Sequence, residues 1–278
     1  MFKHVLISTA ALVAALGAAP ALAQDAAEDS GFNGFYIGGS FGGAHTAGKS
    51  ESILFDRNLD GRFGDTLTTV AGANAFSTGF CSGSASSTAN GNCSFQRDGL
   101  EYYGRIGADT QRGRIVVGFV VEGGRPDFNE SVSAFSTTPA SYTLTRDVRY
   151  NINARGRIGY TPNNKTLFYA AFGPTYAKVR TRINTSNTAN SFSSNGTQEE
   201  WGFNAGGGIE QKIGNNFSIG LEYLYTDVRN DRGRVRVGPG TAAATNPFLL
   251  GNAAGTDFRF SNEHMRWHSA RVVAAFRF

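Results

Sequence analysis

The sequence predicts an all-β fold, an eight-stranded antiparallel transmembrane β-barrel with long external loops. Three observations predict it. An export leader opens the chain, long segments alternate apolar and polar residues with a period of two, and the connections alternate between short turns and long loops.

The leader comes first. Lys3 and His4 give a short basic start, Val5 to Ala18 an apolar run, and Ala21-Leu22-Ala23 a small-x-small cleavage site. This pattern predicts a signal peptide over residues 1–23, cleaved after Ala23, and a barrel domain over 24–278. The apolar run is shorter than the roughly 20 residues a membrane-spanning helix needs. No later stretch from Gln24 onward holds even 12 apolar residues in a row, which excludes a helical membrane protein. A membrane barrel is compatible with that, because it spreads its apolar residues in alternation.

Composition agrees. The chain carries 36 Gly, 22 Phe and 10 Tyr against 2 Met and 7 Pro, a mixture suited to strands and tight turns. The net charge of +4 raises the question of nucleic acid. Export and the spread of arginines along the chain exclude that partner; basic loops can instead meet anionic lipid headgroups. Two cysteines, Cys81 and Cys93, are expected to form a disulfide in an oxidising compartment.

The strands follow in order. The first is Gly34–Ala44, with Phe35, Ile37, Gly39 and Phe41 on one face. Glu101–Gln111 turns through Arg112-Gly113 into Arg114–Gly123, where Ile115, Val117, Phe119 and Val121 share a face. Thr143–Tyr160 is the clearest: Val148, Tyr150, Ile152, Ala154, Ile158 and Tyr160 oppose Arg149, Asn151, Asn153, Arg155 and Arg157. Leu167–Thr181 is a strand whose facing the pattern leaves open. Glu200–Lys212, Phe217–Val228 and His264–Phe278 complete the eight. Long loops at 45–99, 124–142, 182–199 and 229–263 read as polar inserts rich in Ser, Thr, Asn and Gly. Short turns at 112–113, 161–166 and 213–216 mark the opposite, periplasmic end.

The polar face carries both signs of charge. Arg105, Asp109, Glu122, Arg149, Arg155, Arg157, Glu210, Glu222, Arg271 and Arg277 are expected to point inward. Eight strands enclose only enough space for side chains, so opposed charges there are expected to pair. Glu122, Glu210 and Glu222 are the candidate partners of Arg155 and Arg157.

At this point the chain resembles a known family. Gly34-Phe-Tyr-Ile-Gly-Gly-Ser40, Tyr103-Gly-Arg-Ile-Gly-Ala-Asp-Thr-Gln111 with Ile115-Val-Val-Gly-Phe119, Glu222-Tyr-Leu-Tyr225, and His268-Ser-Ala-Arg271 with Phe276-Arg-Phe278 occur in the order seen there. They are similar to the small outer-membrane β-barrels of alphaproteobacteria, porin-like relatives of OmpA and OmpX. The resemblance implies location in a bacterial outer membrane, contact with lipopolysaccharide, and recognition of Phe278 by the barrel-assembly machinery.

Chemistry is sparse. His268-Ser269 invites comparison with barrel lipid deacylases, but neighbours on a strand point to opposite faces and cannot form a dyad. No G-x-S-x-G, H-E-x-x-H or P-loop is present, so the expectation is no enzyme and no cofactor. Arg229, Arg232, Arg234 and Arg236 form a basic stretch, read as a solvated loop, with lipopolysaccharide phosphate as the sharper reading. Asp56-Arg-Asn58-Leu-Asp60-Gly61 matches the start of a calcium loop, and Asp65 adds a carboxylate. The twelfth position is Leu67, where the motif needs Glu, so a polar surface turn is the competing reading. The function expected is a structural or surface-interaction barrel with a side-chain-filled lumen. The alternatives are a narrow diffusive porin and, behind it, an envelope lipid-modifying enzyme.

Overall fold

A computed structural model describes residues 31–47, 51–76, 95–138 and 140–278. The predicted leader and both cysteines, Cys81 and Cys93, lie outside the described residues.

The strands are β1 (Gly34–Thr46), β2 (Ile53–Asp56), β3 (Phe95–Arg97), β4 (Gly99–Arg112), β5 (Ile115–Pro126), β6 (Asn129–Ser136) and β7 (Ala140–Tyr160). They continue as β8 (Thr166–Thr185), β9 (Ser191–Ser194), β10 (Thr197–Ile213), β11 (Phe217–Arg229), β12 (Val235–Gly238), β13 (Thr256–Phe260) and β14 (His264–Arg277). Eight of them close a barrel in the order β1-β4-β5-β7-β8-β10-β11-β14, every pair antiparallel. Closure satisfies every backbone ladder and leaves no edge in lipid. These are the eight predicted strands, with bounds that differ by one to four residues at most ends.

Residues 113–114, 161–165 and 214–216 form the three short turns. Each holds one left-handed residue: Gly113 (φ 60°), Asn164 (φ 59°) and Gly214 (φ 75°). Gly and Asn tolerate that conformation, so these turns are tight because of their sequence.

The outer wall is apolar. Phe35, Ile37 and Phe41 on β1, Ile106 on β4, Val117 and Phe119 on β5, and Leu221 and Tyr223 on β11 are all exposed. Such a band is stable only against lipid. The unassigned strand now has its faces: Leu167, Tyr169, Ala171, Thr175, Ala177 and Val179 are buried, while Phe168 and Phe172 face outward. Apolar residues occupy both sides of β8, which is why alternation alone could not orient it.

The long loops differ from expectation. They are not loose polar inserts. Strands β2, β13, β12 and β9 form a four-stranded antiparallel sheet, and β6 extends the barrel sheet by pairing with the upper part of β7 and with β3. Together they enclose their own core of Ile53, Phe55, Leu67, Phe76, Tyr142, Leu144, Val235, Val237, Phe248, Phe258 and other residues. Phe55 and Phe258 meet edge to face at 4.8 Å. The barrel thus carries a folded β-cap on the end opposite the short turns.

Candidate functional site

The lumen is filled in layers. Nearest the short turns, Phe32, Val116, Leu167, Tyr169 and Ala171 form an apolar floor. Above it Arg157 and Arg277 share Asp109 and Glu210. Arg157 Nε donates to Asp109 at 2.6 Å and its Nη1 to Glu210 at 3.0 Å, while Arg277 reaches Asp109 at 2.7 Å and Glu210 at 3.1 Å. Two cations meet two anions. The Tyr36 ring lies against both guanidiniums, at 4.9 and 4.8 Å.

The next layer holds Arg105, Arg155 and Arg271 with Glu101, Glu122 and Glu222. Glu122 is its centre. It accepts from Arg105 (2.9 Å), from both terminal nitrogens of Arg155 (2.8 and 2.9 Å), from Arg271 (2.7 Å) and from Asn153 (3.0 Å). Glu222 accepts from Arg105 at 3.0 Å, from Arg271 at 2.9 Å and from the Tyr169 hydroxyl at 2.9 Å. Three cations again meet three anions. A buried charge is tolerated only when paired and hydrogen-bonded, and each layer is neutral.

The structure therefore brings together nine of the ten residues expected to point inward: Arg105, Asp109, Glu122, Arg155, Arg157, Glu210, Glu222, Arg271 and Arg277. It also assigns the partners, Glu122 to Arg155, and Asp109 with Glu210 to Arg157. Glu101 was missed; it lies at the start of β4, is fully buried, and accepts from Ser269 Oγ at 3.0 Å. Its place in the alternation of Tyr103, Arg105 and Asp109 was the available signal.

Arg149 departs from the inward facing that the alternation predicts: it is exposed, and so is its neighbour Tyr150. A bulge between Val148 and Tyr150 inserts one residue against β8, where Val148 faces Val179 and Tyr150 faces Lys178. One extra residue inverts the alternation. Above the bulge Val148, Arg146, Leu144 and Tyr142 turn inward, so Val148 also leaves the outer face assigned to it.

Over the charge layers lies an apolar lid of Phe128, Val148, Ala177, Val179, Val228, Met265 and Trp267, with Phe128 and Trp267 rings 5.2 Å apart. Above it Arg146, fully buried, ties barrel to cap. Its Nε donates to Glu130 at 2.7 Å, its Nη2 to Glu51 at 2.8 Å and to the His264 carbonyl at 2.9 Å, and its Nη1 to the Asn262 carbonyl at 2.9 Å. One guanidinium serves two buried carboxylates. Burial, offset by Arg146 and reinforced by Glu130, pushes the Glu51 carboxyl up to about 7.

Ser269 points into the lumen while His268 faces outward against the Tyr223 hydroxyl at 2.6 Å, so the two residues do not meet. Three of the four loop arginines are paired: Arg229 with Asp231 (2.9 Å), Arg232 with Glu200 (3.0 Å), and Arg236 with Asp257. Asp56 accepts from the Gly61 amide (2.8 Å) and the Asp60 amide (3.1 Å), and Asp60 from the Arg62 amide (2.8 Å). Asp65 accepts from the Arg57 amide at 2.8 Å. The carboxylates thus hold the turn itself together. No cluster of three or more His, Cys, Asp or Glu that could hold a metal occurs among the described residues.

Several known proteins are similar to this chain. Two curated relatives, the 31 kDa outer-membrane immunogenic proteins of Brucella melitensis and Brucella suis, are each 29% identical over 113 residues, 39% of this chain. The alignment spans 47% of the length of each. Among solved structures, Neisserial surface protein A matches over 88% of this chain and 97% of its own at 10% identity, with a TM-score of 0.33. The outer membrane protease OmpT of Escherichia coli matches over 89% and 97% at 8% identity, with a TM-score of 0.43. Residues 9–242 match the family described as the outer membrane protein beta-barrel domain, and the chain belongs to that family.

Proposed function

We propose that this protein is a non-conducting outer-membrane barrel whose role is structural and surface-directed, presenting the folded β-cap outside the cell. One observation carries the reading: the lumen is obstructed along its whole length by two neutral ion-pair layers between an apolar floor and an apolar lid. Arg155 and Glu122 in one charge layer and Trp267 in the lid are each no more than 1% exposed. Ion permeation needs a continuous polar path, and a lid of Phe128, Met265 and Trp267 interrupts it. The cap supports the surface role, since loops that only closed turns would not need a core of their own. Lipopolysaccharide is the partner this placement favours.

The test is single-channel recording of the refolded protein in planar bilayers. The expected result is a sealed membrane at every voltage that the bilayer tolerates. Discrete, ohmic openings would replace this reading with a narrow diffusive porin.

A further inference from the structure

The bulge that turns Arg149 outward places it in a group of cations on one sector of the wall. Lys178, Arg180 and Arg182 project outward from successive outer-face positions of β8, about 6.6 Å apart along the strand. Arg149 and Tyr150 lie beside Lys178 across the ladder. The acids here are Asp147 and Glu199. Asp147 holds Arg180 at 3.1 Å and Arg182 at 2.9 Å, and Glu199 meets Lys178 at 3.3 Å. Arg149 makes no ion pair among the described residues. Four cations against two acids leave this sector with a surplus of two.

The rest of the rim is different. Arg125 is matched by Asp127 at 3.7 Å, Arg229 by Asp231 at 2.9 Å, Arg232 by Glu200 at 3.0 Å, and Arg266 by Asp227 at 2.8 Å. Arg97 and Arg234 also lack an ion pair among the described residues, but they lie in the cap segments; on the outer wall of the barrel strands at this end the surplus is local to the β7–β8 sector.

Its depth is fixed by what lies beneath. Tyr150 and Tyr176 rings are 6.4 Å apart, and Tyr176 meets Trp201 at 5.2 Å. Aromatic belts of this kind mark the boundary between acyl chains and headgroups. Tyr176 and Trp201 pair across the ladder, and the next outer-face pair is Lys178 with Glu199. The Lys178 ammonium also lies 5.8 Å from the centre of the Tyr150 ring. The cations therefore begin one step above the aromatic belt, at the level of the headgroups. They are on the cap side, away from the short turns, which is the outer leaflet under the orientation used in Proposed function.

We infer that Arg149, Lys178, Arg180 and Arg182 form a binding site for the phosphate groups of a phosphorylated glycolipid of the outer leaflet, lipid A. Asp147 is a positioning residue that holds two guanidiniums side by side. Arg149 has no acidic partner among the described residues, and Lys178 meets only the exposed Glu199 at 3.3 Å, so these two cations give up least on taking a phosphate. A planar guanidinium matches phosphate oxygens in pairs, which an ammonium alone cannot do.

The test uses full-length protein refolded in neutral detergent micelles and titrated with lipid A, read by tryptophan fluorescence, since Trp201 lies at the site. Arg149→Gln with Lys178→Gln is expected to weaken binding about fivefold per cation, the size expected of one basic group at a charged lipid surface. Arg125→Gln, a matched cation elsewhere on the rim, should bind as the unaltered protein does. Dephosphorylated lipid A should bind no better to the unaltered protein than to the double variant. Equal lipid A affinity for the double variant and the unaltered protein would overturn the site. So would an undiminished response to dephosphorylated lipid, and so would the same response from inorganic phosphate alone. A heat-modifiable folded band is required of all three proteins, so loss of the barrel is read separately from loss of the site.

Discussion

Replacing Glu122 with Gln is the sharpest perturbation of the lumen. Its carboxylate is 1% exposed and takes hydrogen bonds from three guanidiniums and one amide. The substitution keeps the shape and removes the charge. Arg105, Arg155 and Arg271 then face only Glu101 and Glu222, which leaves one uncompensated cation in a closed interior. Breaking a buried pair from one side costs about 3–5 kcal/mol. At an m-value of about 2 kcal/mol/M, that lowers the urea midpoint by about 2 M. The assay is urea unfolding of the refolded barrel, followed by tryptophan fluorescence and by the heat-modifiable band. Arg155→Met, made alone, should cost a similar amount with the opposite sign of stranded charge. Combining the two removes one charge of each sign and restores neutrality. The double variant should therefore be more stable than the sum of the single losses requires, by about 2 kcal/mol. Unchanged midpoints in both single variants, or strict additivity in the double, would refute a neutral, water-excluded charge layer.

Three further outcomes follow from the geometry. The raised Glu51 carboxyl means that the folded cap retains a proton which the unfolded chain releases near pH 4.5. Its contribution is complete below that pH and is lost as pH rises through about 7, a loss on the order of 3 kcal/mol in cap docking. Proteolysis of residues 51–56 should accelerate over that window, and Glu51→Gln should flatten the profile; an unchanged profile would show that Glu51 does not titrate there. At Gly107 a Cβ would fall on the Tyr36 ring and the Phe119 carbonyl, so Gly107→Ala should destabilise the barrel by about 1–3 kcal/mol in urea melts, and an unaltered midpoint would mean the lumen has slack. The D-x-N-x-D-G turn is held by its own amides, so trypsin should cut at Arg57 and Arg62 equally fast with millimolar calcium and with chelator, and Asp60→Ala should speed both alike. Slower cleavage with calcium alone would show that the carboxylates converge on an ion instead.

The barrel was legible because its determinants are local. Period-two alternation over β4, β7 and β11 fixes which side of each strand meets lipid, and the left-handed residues Gly113, Asn164 and Gly214 fix the tight turns. The charged inner face followed from the same alternation, and so did the separation of His268 from Ser269. The partners inside the lumen were not legible. Arg155 meets Glu122 from 33 residues away and Arg157 meets Asp109 from 48, and only the closure of the sheet and its register bring those side chains to one level. Arg149 was misplaced because one bulged residue inverts every position beyond it, and a bulge leaves no mark in the hydropathy pattern. The cap was hidden for the same reason at larger scale. Its strands are three to eight residues long, and β2 and β9 pair with segments distant in the chain, as Phe55 does with Phe258. Each segment alone is too short and too mixed to show a period. Its burial exists only once four loops pack over the closed end of the barrel.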